Sequence, residues 1–154
     1  MRRLIAEEDR LDEYILASAG LSIETAGAPA EAGAQWAARA QGIDLRSKRA
    51  RMIEAGDFRR FDLILAMDAS SRDALRARAP AGTQHKVHLL LDFSTWIGES
   101  EIPDPSGGSG DGYANVLDLL QLAVRGLMES LDQAVGELAV PEFARARLKV
   151  SSAT

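Results

Sequence analysis

No cysteine occurs anywhere in the 154 residues. That absence removes disulfides, thiolate metal ligands, thiol nucleophiles and dithiol redox relays from the chemistry of this chain. Histidine is nearly as scarce: His85 and His88 are the two present. They stand three apart in a stretch that reads as a strand and bring no third ligand with them, so no metal site is expected. Aromatic residues are 5% of the chain, too few to interleave with basic residues as a nucleic-acid surface requires, and the net charge of −5 points the same way. Long apolar runs are missing too. The run at 63–67 is far short of the roughly 20 residues that span a bilayer, and Leu4-Ile5-Ala6 gives way to Glu7, Glu8 and Asp9 before a signal-peptide core is built. These absences predict a cytoplasmic protein without membrane or nucleic-acid partner and without a cofactor.

What is present is ordinary for a soluble domain: 46% hydrophobic and 27% charged residues, in a length that suits one domain. Residues 4–11 carry a short apolar stripe among charges and predict a helix. Residues 14–17 predict a strand closed by the turn Ser18-Ala19-Gly20. Residues 35–41 are Ala-rich and helical, with Gly42 as the stop, and the polar segment 46–57 has room for a short helix. Residues 61–67 are the strongest strand, apolar throughout as a parallel strand covered on both faces should be. A helix follows over 68–79, with Asp68 or Ser70 as N-cap and Pro80 just beyond it. Residues 87–93 read as another strand, and 98–112 as a Gly/Ser/Pro loop too long to be a mere connector. Apolar residues recurring every three or four from Val116 to Leu131 predict a long helix over 113–138. Pro141 ends it, and 141–154 reads as a C-terminal tail outside the domain. Alternating strands and helices imply an α/β fold with a parallel sheet.

Charge is unevenly placed. Residues 39–86 hold eleven basic and six acidic residues, whereas 89–154 hold four basic and ten acidic. The basic stretch reads either as solvated helix faces or as a positive rim for an anionic ligand such as a phosphate.

Several fragments, in this order, resemble the low-molecular-weight protein-tyrosine phosphatases: Ser18-Ala19-Gly20, Gly27-x-Pro29-Ala30, Gly42-Ile43-Asp44-Leu45, Lys48-Arg49-Ala50-Arg51, the run from Phe61 through Met67-Asp68, and Ile102-Pro103-Asp104-Pro105. The resemblance covers roughly residues 4–130. It implies a three-layer α/β domain over 1–140, with helices flanking a parallel sheet of order 2-1-3-4, and phosphotyrosine proteins as the substrate class. In that family a Cys-x5-Arg loop after the first strand carries the nucleophile and cradles the phosphate. Here that strand and loop have no counterpart, and Met1 aligns with the inside of the first helix. The resemblance makes Asp104 the general acid that protonates the leaving phenolate, and makes Ser18, Lys48, Asp68 and Ser106 the binding or supporting residues. It also exposes departures. Ser106 stands where the family usually has a Tyr that walls the cleft, Glu24 falls where a second aromatic is common, and Lys48 replaces a supporting His.

A missing central strand is costly. It would bury about five apolar side chains at roughly 1.5–3 kcal/mol each, comparable with a whole domain's stability of about 5–15 kcal/mol, and would leave two strand edges unpaired. Three outcomes follow: the neighbours close up and pair directly, a partner fills the gap, or the authentic chain starts upstream. The expected function is that of a phosphatase-family member inactive as written, through N-terminal truncation or, alternatively, as a pseudophosphatase that binds or regulates. Charge counting with Glu24, Asp68, Asp104 and Lys48 predicts a net negative remnant pocket that repels phosphate.

Overall fold

The apolar run at 63–66 forms strand β2 (Leu63–Ala66), buried at every residue. Its two-residue period sends Leu63 and Leu65 to one face of the sheet and Ile64 and Ala66 to the other. A strand apolar on both faces needs two covering layers. Phe58 of helix α3 (Ala55–Arg60) and Leu75 of α4 (Ala69–Arg78) cover Ile64 and Ala66. Ala123 and Leu127 of the long helix α5 (Gly110–Glu137) cover Leu63 and Leu65. Helix α1 (Arg2–Glu7) packs Leu4 and Ile5 against Val124 and Met128 of α5 and Tyr14 of β1 (Tyr14–Ala19). Arg10 locks that junction with bonds of 2.6 Å to Asp132, 2.8 Å to Glu13 and 2.7 Å to the Tyr14 hydroxyl. Helix α2 (Ala32–Ala40) lies against α5. The structure, a computed structural model, describes residues 1–22, 24, 26–94, 98–106, 110–137 and 148–153.

The sheet has four parallel strands in the order β1-β4-β2-β3, with β3 spanning Val87–Leu89 and β4 spanning Leu148–Ala153. The parallel sheet and flanking helices follow the expected fold class. The centre does not follow the expected gap. Residues 148–153, read from sequence as part of a tail, occupy the central position. They pair with β1 from Tyr14↔Leu148 to Ala19↔Ala153 and with β2 from Leu63↔Val150 to Ala66↔Ala153. Two parallel strands held one strand-width apart present unpaired N–H and C=O groups to the slot between them, and an extended segment that reaches the slot satisfies both edges. Direct pairing of β1 with β2 does not occur, because β4 stands between them. The pattern Leu148-Lys149-Val150-Ser151-Ser152-Ala153 hides this role, since a buried parallel strand ordinarily reads as a continuous apolar run. The rest of the predicted tail, with Pro141 and Phe143, lies outside the described residues, as does Leu138.

Smaller corrections concern ends. The predicted strand at 87–93 is a strand only to Leu89, because Leu90–Phe93 form a 3₁₀ turn whose Asp92 carboxylate accepts the Leu89 N–H at 3.0 Å. Helix α5 begins three residues before Tyr113. Gly126 lets it approach that turn: a Cβ there would sit 2.9 Å from the Phe93 carbonyl oxygen.

Several basic residues of the stretch 39–86 are engaged by local structure, and none of the stretch's basic residues lines the cavity beside Asp104. Lys86 Nζ donates to the Phe61 and Phe58 carbonyls at 2.9 and 3.2 Å, closing the end of α3. Arg76 donates to the Val87 carbonyl at 2.8 Å, Arg78 to Leu21 at 2.9 Å, and Arg51 grips Asp57 at 2.7 Å.

Val150 packs into the α5 face of the sheet, so by strand alternation its neighbour Ser151 turns toward the face covered by α3 and α4. Ser151 is fully buried, and its hydroxyl has no hydrogen-bond partner among the described residues. A buried unpaired hydroxyl costs about 1–3 kcal/mol. Ser151→Ala is therefore expected to raise stability by about 1 kcal/mol or more in urea denaturation. Val150→Asp, which buries a charge beside Leu63, is expected to abolish cooperative unfolding in the same experiment.

Candidate functional site

Strand β2 delivers the chain to Met67-Asp68 at the C-terminal end of the parallel sheet, where open α/β folds place ligands. Asp68 caps α4. One carboxylate oxygen accepts from the Ser71 N–H and the Ser70 hydroxyl, both at 2.7 Å, and the other from the Ser71 hydroxyl at 2.7 Å. The Ser70 hydroxyl, followed by the Ser71 bonds, holds this carboxyl below the usual carboxylate range.

The loop carrying Asp104 is pinned beside the same strand end. The Ile102 N–H donates to the Met67 carbonyl at 2.8 Å, and the Ile102 side chain is buried. Pro103 and Pro105 fix φ on either side of Asp104. The Asp104 carboxylate accepts the Ser106 N–H at 2.9 Å, an Asx turn. That bond, only partly opposed by burial and the Asp68 charge, draws the Asp104 carboxyl below its ordinary range. It is therefore ionised at neutral pH.

A cavity of about 640 Å³ opens between this loop, α2 and α5. Its apolar lining includes Ala34, Leu45, Met67, Ile102, Val116 and Leu120, and its polar groups include Glu31, Asp68, Asp104, Ser106 and Tyr113. Glu31 accepts from the Tyr113 hydroxyl and from the Ser106 hydroxyl at 3.3 Å. The Glu31 bond raises the Tyr113 phenol further above its ordinary range, so it stays neutral. Gly33 makes room for the ring: a Cβ there would lie 2.5 Å from a Tyr113 ring carbon.

Three of the residues singled out from sequence, Asp104, Asp68 and Ser106, meet at this cavity, and three do not. Ser18 is exposed near the end of β1, level with Ser152 in the register, and does not line the cavity. Lys48 is exposed in the turn before Arg49, away from the cavity lining. Glu24 is likewise exposed and outside it, its N–H bonded to the Ser22 hydroxyl. The third carboxylate of the site is Glu31, which sequence reasoning missed together with Tyr113. Glu31 sits as the residue before α2, 75 positions from Ser106 and 82 from Tyr113, so no local pattern joins them. Among the described residues, no group of three or more His, Asp or Glu could hold a metal ion, and no helix is long and apolar enough to cross a membrane.

Gly33→Ala forces the Tyr113 ring aside and is expected to cost about 1–3 kcal/mol, with Tyr113→Ala in the same chain relieving most of it; a double-mutant cycle by urea denaturation reads this. Asp68→Ala removes an N-cap worth about 1 kcal/mol. The Asp68 carboxyl is lower in the folded state than in the unfolded one, near about 3.9. Its stabilisation is thus present above that value and lost as pH falls through the folded value. The gap between wild type and Asp68→Ala should be full at pH 7 and shrink progressively below pH 4.

The family profile of the low molecular weight phosphotyrosine protein phosphatases matches residues 1–137. A putative low molecular weight protein-tyrosine-phosphatase of Synechocystis, slr0328, is 43% identical over 54% of this chain and 54% of its own length. The Salmonella typhi protein-tyrosine-phosphatase Wzb is 36% identical over 79% of this chain and 78% of its own. The chain spans about half the length of the Synechocystis relative and of a Streptomyces coelicolor one, 54% in each case. Among solved structures, a protein tyrosine phosphatase from Entamoeba histolytica superposes with a TM-score of 0.82 at 28% identity, covering 86% of this chain and 85% of that one. A parallel sheet of this order, an Asp-bearing loop pinned to the end of β2, and a profile spanning most of the chain agree: the chain belongs to the low molecular weight phosphotyrosine protein phosphatase family.

Proposed function

We propose that these 154 residues form a catalytically silent member of the family, a binding module on a phosphatase fold that does not turn over phosphotyrosine. The observation that carries this reading is the absence of cysteine from the chain: with no thiolate there is no phosphocysteine to form and resolve. The site supports the same reading in two further ways. A general acid has to be protonated when the leaving oxygen departs, and the Ser106 N–H draws the Asp104 carboxyl in the opposite direction, below its ordinary range. Among the described residues three carboxylates and no basic side chain line the cavity, so a phosphate meets repulsion of roughly 3–4 kcal/mol per carboxylate for each unit of its charge, at about 4–6 Å and an effective dielectric near 20, before screening.

Closure of the sheet by β4 supports a folded module, because the facing edges of β1 and β2 are both paired. The phosphotyrosine protein that serves relatives as substrate is, on this reading, neither hydrolysed nor held at the cavity. No cofactor is invoked, and a cytoplasmic location remains part of the proposal.

The test is hydrolysis of para-nitrophenyl phosphate by the purified chain, with Asp104→Asn alongside. The expected result is no rate above buffer for either protein. A rate that survives chelation and vanishes in Asp104→Asn would overturn the proposal by revealing another nucleophile.

A further inference from the structure

The cavity has a chemical bias that runs opposite to phosphate. Glu31, Asp68 and Asp104 all line it, and each accepts hydrogen bonds from neutral donors alone: hydroxyls of Ser70, Ser71, Ser106 and Tyr113, and the N–H groups of Ser71 and Ser106. None of the three is in an ion pair among the described residues. No lysine or arginine lines this cavity among the described residues; of the cavities that share lining residues with it, one holds Arg3, engaged by the Gln41 carbonyl at 2.8 Å and by Gln121, and another holds Arg39 and Arg46, with Arg46 paired to Asp44. Below this acidic mouth the walls are apolar, and about 640 Å³ lies within the size range of small-molecule sites, roughly 300–1,000 Å³. Tyr113 stands at the mouth beside the carboxylates, an aromatic of the kind that also favours a cation.

We propose that the cavity between α2, α5 and the Asp104 loop binds a small organic cation, an amine carried on an apolar aliphatic or aromatic body. The body enters the space lined by Leu45, Ile102, Val116 and Leu120, and the ammonium remains at the mouth, where Glu31 and Asp104 receive its N–H groups. The charge decides the class: an uncompensated acidic rim repels anions and leaves neutral ligands with the apolar contribution alone, whereas a cation gains from both parts of the site. This inference rests on the reading that the site holds no phosphoryl group.

The experiment is calorimetric titration of the full chain with three ligands that share one body: 2-phenylethylamine, 2-phenylethanol and 3-phenylpropanoate. The amine is expected to bind at least tenfold more tightly than the alcohol, and the carboxylate not at all. Glu31→Gln and Asp104→Asn change exposed residues and are expected to weaken the amine three- to tenfold each while leaving the alcohol unchanged, with thermal melting confirming that both variants fold. The amine signal in proton NMR should perturb the Tyr113 ring.

Equal binding of amine and alcohol, binding of the carboxylate, or an amine affinity indifferent to both substitutions would overturn the proposal. So would tight binding of a lysine-rich peptide with none of phenylethylamine, which would assign the rim to a protein partner. Hydrolysis of para-nitrophenyl phosphate in the parallel assay would instead sink the silent-module reading while leaving the amine selectivity to stand or fall on its own titration.

Discussion

The pairing of β4 between β1 and β2 is the constraint on which the rest of the molecule depends. Without it, both neighbours would present open edges at the heart of the sheet, and the two apolar faces of β2 would lack the lateral support that keeps α3 and α4 on one side and α5 on the other. With it, the ends of β1, β4 and β2 stand level, and the Asp104 loop and the Asp68 cap are built upon Met67 and Asp68, the two residues that follow β2. The site is thus a dependant of a strand none of whose described side chains lines it.

That strand is accepted on backbone terms. Its ladder is complete, yet one of its buried side chains, Ser151, brings a hydroxyl that nothing among the described residues receives. Main-chain satisfaction outweighs side-chain fit here, as it should when the alternative is two unpaired edges in an apolar interior. The same priority governs the arginines and lysines of 39–86. Lys86, Arg76, Arg78 and Arg49 donate to carbonyls at helix ends and turns, and Arg51, Arg46 and Arg72 pair with a nearby Asp, so much of a stretch that looks like an anion platform is structural.

How much of this was legible in the sequence varies with how local each signal is. The strand at 63–66 and the helix after Asp68 were, because periodicity and a capping side chain are written within a few residues. The Asp104 loop was, because Pro-Asp-Pro beside an apolar Ile102 resembles a known family's pattern. The central strand was not: Lys149, Ser151 and Ser152 carry no apolar signature, and its place is fixed by two slots far away in sequence. Glu31 and Tyr113 were missed for the same reason, since they meet Ser106 only after α2 and α5 pack. Glu24 was chosen on alignment spacing, and the carboxylate that reaches the cavity is instead the one that precedes α2.

Residues 148–153 also set a schedule. A sheet whose middle strand follows its other strands in sequence cannot be completed until residues 148–153 have left the ribosome. Every helix and both neighbouring strands are synthesised first and must wait with their edges uncovered. Closing so long a loop in a parallel ladder is the slow kind of folding step, and it comes after β1, β2 and β3 have all emerged. The nascent chain is then a stronger client for chaperones than the finished protein. A mutation in the last few residues would show itself less as lost binding than as lost yield.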